Sequence, residues 1–264
     1  MAQITGQERR IMFLKEFFKG IKSYVKGHRV ISKHKLWRYM IAPGILSLLY
    51  TLALIILGIM YFGDISGYIN DNWIPEFMKW KMLETITSVL LWVLLFLIGF
   101  ITYKPVVLIL FSPLLSYLSE LTENAIYGRP SPDFEFKQML KDIIRGLVIT
   151  IRNLALTILF ILPAWLLVFI PVIGPVISTI LISCIMFYYD GFGLVYLTLE
   201  RKRYSVSESI KFVKDSRPRV MGVGMGFFLM MLVPLLGWFA APSYGAVAAT
   251  IAALEKIDTR DAAG

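Results

Sequence analysis

Phe169-Ile170-Pro171-Val172-Ile173-Gly174, echoed further on by Leu232-Val233-Pro234-Leu235-Leu236-Gly237, is the stretch on which the fold turns. Each copy follows an apolar helix that begins among bases, Arg145 and Arg152 in one case and Arg217 and Arg219 in the other, and each is followed by a second apolar run. Proline lacks an amide proton and crowds the preceding turn, so a Pro-Gly pair between apolar runs reads as the tip of a helical hairpin. A basic start, an apolar helix, a Pro-Gly turn and a second apolar helix form a unit that occurs twice, over residues 145–199 and 216–254. Both hairpins therefore enter from the same side. Neither tip carries a charge. A tip inside the membrane is one reading, and backbone groups freed by Pro and Gly must then be paired within the protein or line a wet cavity. A short extracellular turn between two full spans is the other.

Upstream, residues 40–62 run without a charge and are long enough to cross a hydrocarbon core of about 30 Å. Bases at 26, 29, 33, 35 and 38 precede this span. Asp64, Asp71, Glu76 and Glu84 follow it against only Lys79 and Lys81, so the positive-inside rule puts that connection outside, with Trp73 and Trp80 at the outer interface. A second long helix begins near Thr85, meets the inner interface near Lys104, kinks at Pro105 and continues to Leu118. The segment from Glu200 to Arg219 holds seven bases against Glu200, Glu208 and Asp215, and together with both termini it is expected in the cytoplasm. The expected fold is an all-α integral membrane protein over residues 1–264 as one membrane domain. It has two long transmembrane helices (40–118), two Pro/Gly-tipped hairpins, hemi-penetrating on the first reading of their tips, and an N-terminal amphipathic helix.

Composition agrees. With 57% hydrophobic and 17% charged residues and a mean hydropathy of +0.69, the chain is too apolar for a soluble domain. The net charge of +9 lies beside the apolar runs rather than in a separate basic domain, so it reads as topogenic charge and not as a nucleic-acid surface. Over the basic segment 8–38, Ile11, Leu14, Phe17, Phe18, Ile21, Tyr24 and Val25 recur at three- and four-residue spacing with lysines between them. This helix either lies on the membrane, its lysines toward anionic headgroups, or docks on the protein's own cytoplasmic face.

Signatures of catalysis are few. His28 and His34 are the only histidines and Cys184 the only cysteine, which leaves no metal cluster, disulfide framework or serine triad to build. No phosphate-binding loop is present, so transport, if any, is passive or ion-coupled. We expect neither an enzyme nor a cofactor. Asp190 sits beside an apolar run, where a carboxylate either pairs structurally with a base or stands on a solute pathway. Arg145 and Arg152 are seven residues apart on one helix face and either snorkel to phosphates or form a cationic vestibule. Arg217-Pro218-Arg219 opens a helix, where unpaired amides favour an anion. Ser32-Lys33-His34-Lys35-Leu36-Trp37-Arg38-Tyr39 is the most concentrated anion-friendly helix start in the chain.

These features resemble the CysZ-type sulfate permeases, related to the etoposide-induced membrane protein family. The resemblance covers roughly residues 14–254. It rests on Lys35-Leu36-Trp37-Arg38-Tyr39, on Phe111-Ser112-Pro113-Leu114-Leu115-Ser116-Tyr117-Leu118-Ser119-Glu120, and on the turns at Pro171 and Pro234. It implies a bacterial inner-membrane protein that forms homo-oligomers and takes up sulfate. In that family the start of the first long helix reads Gly-apolar-Arg-Arg-aromatic, with backbone amides and both arginines around the anion. Arg38 stands at the second arginine, whereas Trp37 replaces the first and Lys35 replaces the glycine. The anion-binding set expected is Lys35, Leu36, Arg38, Arg145, Arg152, Arg217 and Arg219, with Asp190 on the pathway. The alternative from another class is a membrane scaffold whose basic cytoplasmic face binds anionic lipid or a protein partner.

Overall fold

The computed structural model describes residues 6–72, 85–86, 88–93, 95, 111–128, 136–233 and 236–261. Eight helices hold most of these: α1 (Gly6–Lys33), α2 (Trp37–Asn72), α3 (Ser112–Tyr127), α4 (Phe136–Leu166), α5 (Gly174–Arg201), α6 (Val206–Asp215), α7 (Arg217–Met231) and α8 (Leu236–Asp261). No strand occurs among the described residues. Four of the described helices are long and apolar enough to cross a membrane, over Trp37–Ile69, Ile144–Phe169, Gly174–Arg201 and Gly237–Thr259. The protein is an all-α membrane protein.

The two hairpins are α4–α5, closed by a short 3₁₀ turn at Leu167–Phe169, and α7–α8. At the first tip the Ile173 amide donates to the Pro171 carbonyl across Val172, whose φ is 64°. A β-branched residue rarely adopts that left-handed backbone. The tip is wholly apolar and open, with Val172 89% exposed. Pro234 and Leu235 of the second tip, like the expected kink at Pro105 and the tryptophans at 73 and 80, lie outside the described residues.

Helix α2 overruns the span read from hydropathy, which stopped at residue 62. Its 36 residues make about 54 Å at 1.5 Å per residue, far beyond a ~30 Å hydrocarbon core. Gly63, Asp64 and Gly67 end the apolar run, but such residues each cost a helix only about 1 kcal/mol or less and do not break it. The segment 200–219 likewise holds an unforeseen helix, α6. Its start is a capping box: the Glu208 amide donates to Ser205 Oγ and the Ser205 amide to Glu208 Oε2.

Helix α7 is the centre of the molecule, sandwiched between α1 and α5. Its Gly222 faces Gly20 of α1, and its Gly224 faces Gly191 of α5; a methyl group added at Gly222 would fall 2.0 Å from the Phe17 carbonyl oxygen, and at Gly224 1.8 Å from that of Phe187. Only a missing side chain permits backbones to approach so closely. Elsewhere in the core, Ser119 of α3, Thr198 of α5 and Thr250 of α8 close a fully buried hydroxyl triangle, with O···O distances of 3.3, 3.2 and 2.8 Å. Each hydroxyl is thereby satisfied, as burial demands.

Candidate functional site

The turn between α1 and α2 shapes the basic start of α2. Helix α1 ends in a Schellman-type cap: Lys35 adopts the left-handed conformation, with φ 55°, and the Leu36 amide reaches back 3.0 Å to the Ile31 carbonyl. The apolar contact that accompanies this motif is made by Leu36 itself, buried with Ile31, Met40, Leu118, Val247 and Ile251. The left-handed residue of such a cap is usually glycine, and Lys35 holds the geometry without glycine's freedom.

This geometry sorts the expected anion donors. The Leu36 amide is taken by Ile31, so Leu36 contributes packing and the turn. The Trp37 amide has no acceptor among the described residues, and the Arg38 amide lies 3.5 Å from the Lys35 carbonyl. Lys35, Trp37, Arg38 and Tyr39 are all exposed. The Arg38 guanidinium carbon lies 5.7 Å from the Trp37 ring centroid, and Tyr39 meets Tyr117 of α3 edge-on at 5.9 Å. Between Glu16 and Asp64 the chain holds no carboxylate, while Lys19, Lys22, Lys26, Arg29, Lys33, Lys35 and Arg38 are cationic. Lys33, Lys35 and Arg38 make no ion pair among the described residues. What the fold presents here is an open cationic and aromatic surface at the start of a helix, with at least one free amide.

Arg219 has the opposite character. It is 5% exposed, and its Nε and Nη2 lie 3.0 and 3.3 Å from the two Glu16 carboxylate oxygens while Nη1 lies 3.1 Å from Glu255 Oε2. Lys19 and Lys256 also reach Glu16, each at 2.9 Å. Burial alone would push the Glu16 carboxyl up, but hydrogen bonds from Lys19 and Lys256 and the charge of Arg219 outweigh it and hold the group at about 2. Arg219 thus ties α1, α7 and α8 together, and its donors are already engaged by carboxylates.

Arg217, two residues earlier, is exposed and lies near the Tyr188 hydroxyl of α5. Arg152 of α4 also lies near Tyr188; its guanidinium carbon is 5.9 Å from the Phe192 ring centroid and its Nη1 is 3.2 Å from Asn153 Oδ1. The fold therefore gathers Arg152 and Arg217 around one tyrosine where α4, α5 and α7 meet. Asp190, two residues beyond Tyr188, is half-buried near Tyr24 of α1. Arg145 is half-buried a helical stretch away, next to Gly146, which abuts the buried Glu200 carboxylate. The seven expected donors do not converge on one point.

Buried carboxylates were the features that sequence reading missed. Glu123 of α3 is 3% exposed and pairs with Arg201 and Lys202 at the end of α5. Nothing in the linear order of the chain marks Glu16 or Glu123 as different from surface glutamates. Among the described residues, no group of three His, Cys, Asp or Glu side chains is placed to hold a metal ion.

A long apolar helix with a cationic start, two apolar helical hairpins and ion pairs near the charged ends of those hairpins define a polytopic helical membrane protein. A family model described as "Sulfate transporter CysZ/Etoposide-induced protein 2.4" matches residues 23–242, and the chain belongs to that family. The match takes in the start of α2, the first hairpin and the second hairpin as far as residue 242. No curated protein matches the chain. The family is a transporter-type family rather than an enzyme family.

Proposed function

We propose that this protein is a permease for a small inorganic anion, sulfate first, working by a passive or ion-coupled route in a bacterial inner membrane with both termini in the cytoplasm. Family membership supports the class of solute. The observation that carries the reading to particular residues is the contrast between Arg219, saturated by Glu16 and Glu255, and the start of α2, where Lys35, Arg38 and the Trp37 amide have no carboxylate partner among the described residues. At an effective dielectric of about 20, a dianion about 4 Å from one cation gains roughly 8 kcal/mol, twice the gain of a monovalent pair. Screening reduces that figure at an exposed site. Two cations and an amide can therefore concentrate sulfate without a dry cage, which suits a peripheral station at the inner face better than a tight binding pocket.

The length of α7 supports a second tip that stops within the membrane. From Arg219, paired with Glu255 at one level, α7 continues to Met231, about 18 Å of helix, which falls short of a ~30 Å core. The arms of the first hairpin, Ile144–Phe169 and Gly174–Arg201, are long enough to cross. Several copies arranged around their hairpins would enclose a path and cover part of the exposed apolar surface, so the working unit is a homo-oligomer.

Labelled sulfate uptake into proteoliposomes, in competition with thiosulfate, phosphate and chloride, tests the proposal. Saturable uptake inhibited by thiosulfate but little by chloride is expected. Absence of uptake of every anion by folded protein would overturn it and favour the scaffold.

A further inference from the structure

Helix α1 has two faces, and only one is covered by protein. Gly20, Ser23, Gly27 and Ile31 are buried against α7 and α8, and Glu16 joins the ion pairs around Arg219 on that side. The opposite side carries two parallel stripes at seven-residue spacing, which keeps a stripe nearly straight along a helix. Ile11, Phe18 and Val25, with Leu14 between them, are 58, 53, 57 and 53% exposed. Lys15, Lys22 and Arg29 form the second stripe; all are exposed, and none makes an ion pair among the described residues.

We infer that α1 lies on the inner surface of the bilayer, its apolar stripe in the headgroup–acyl boundary and its basic stripe on anionic headgroups. Three observations select the bilayer as occupant. The apolar and basic stripes adjoin along the whole exposed side, the arrangement that a surface helix needs to meet hydrocarbon and phosphate together. Only residues 34–36 separate α1 from α2, a membrane span whose first exposed aromatics are Trp37 and Tyr39, so α1 cannot stand far from the interface. A second copy in that place would bring another helix devoid of carboxylates between Glu16 and Asp64 against the basic stripe, which like charge opposes. Because its other face grips α7 through Gly20 and Gly222, α1 on the surface would fix the height of the second hairpin. The inference requires only a membrane and stands apart from the identity of the solute.

Spin labels in the full-length protein test it. In a Cys184→Ser background, single cysteines at Leu14→Cys, Phe18→Cys, Lys22→Cys and Arg29→Cys are labelled in nanodiscs of phosphatidylcholine with or without phosphatidylglycerol, and collision with oxygen is compared with collision with a water-soluble nickel chelate. Labels at 14 and 18 should be oxygen-dominated and labels at 22 and 29 nickel-dominated, with the first pair deeper when phosphatidylglycerol is present. A separate Lys15→Gln/Lys22→Gln/Arg29→Gln variant carrying the Phe18 label should lose that lipid dependence. Equal nickel access at 18 and 22 would overturn the inference, as would depths indifferent to phosphatidylglycerol or spin–spin broadening at 18 that reveals a second copy on this face.

Discussion

The two hairpins begin from one plan and end in different surroundings. In the first, only 17% and 33% of the apolar windows of α4 and α5 are buried, whereas in α8 of the second the share is 78%. Side-chain size makes the difference. The first is built of Ile, Leu, Phe and Val on every side of its tip, and the second carries Gly222, Gly224 and Gly226 on α7 and Ala241, Ala246, Ala248, Ala249, Ala252 and Ala253 on α8. Small residues let the second hairpin become the core around which α1, α3 and α5 close, and large ones leave the first with its apolar side chains exposed. A shared Pro-Gly tip therefore specifies the turn and leaves the environment to the flanking residues.

The sharpest way to break that comparison is to add bulk to one hairpin and remove it from the other. Gly224→Leu drives a side chain into the Phe187 carbonyl and is expected to abolish folding or cost more than about 4 kcal/mol, read as loss of the monodisperse peak in detergent. Phe160→Ala, on an exposed face of α4, is expected to shift the midpoint of thermal unfolding by an amount corresponding to less than about 1 kcal/mol. Comparable losses in both variants would mean that the first hairpin is packed as tightly as the second.

Arg219→Ala comes next. It leaves Glu16 and Glu255 at a buried face, but Lys19, Lys256 and Lys26 remain beside them, so the expected loss is about 2–3 kcal/mol, below that of a fully uncompensated buried charge. The same knot sets an acid response. The Glu16 carboxyl lies at about 2 when folded against an ordinary 4.5, so its contribution is fully present above about pH 4.5 and is lost as the pH falls toward 2. Hydrogen exchange of the α1 amides should rise through that window after correction for the intrinsic rate, and a Glu16→Gln variant should lack the acid step.

A smaller effect, of opposite sign, is expected at the α1–α2 turn. Lys35→Gly removes the cost of a left-handed lysine and should stabilise the protein by up to about 1 kcal/mol. It also removes one charge from the start of α2. A higher melting temperature together with weaker anion uptake would separate what this position does for the backbone from what it does for the solute.

Much of the architecture was legible because long apolar runs and a repeated Pro-Gly signal are local properties. The all-helical class and the two hairpins follow from residues 145–199 and 216–254 alone. Helix α6 was not foreseen: Ser205 and Glu208 stand at capping-box spacing, but the charges of the segment hid that signal. Nor was the extent of α2, since hydropathy marks where hydrocarbon ends and not where a helix does. The candidate site was half legible. Basic residues near helix starts are visible in the chain, yet which of them are free depends on partners far away: Glu16 lies 203 positions from Arg219, and no spacing rule joins them. The same distance effect hid the commitment of the Leu36 amide, which required the cap at Lys35 to be seen.

The central claim is that the start of α2 receives the anion. Initial rates of sulfate uptake by Arg38→Ala and wild-type protein, reconstituted at equal density with exposed Lys214→Ala as the control, test it most directly. We predict at least a tenfold loss at low sulfate for Arg38→Ala, the equivalent of about 1.4 kcal/mol, and a wild-type rate for Lys214→Ala. Wild-type uptake by a folded Arg38→Ala protein would contradict the claim and place the anion elsewhere.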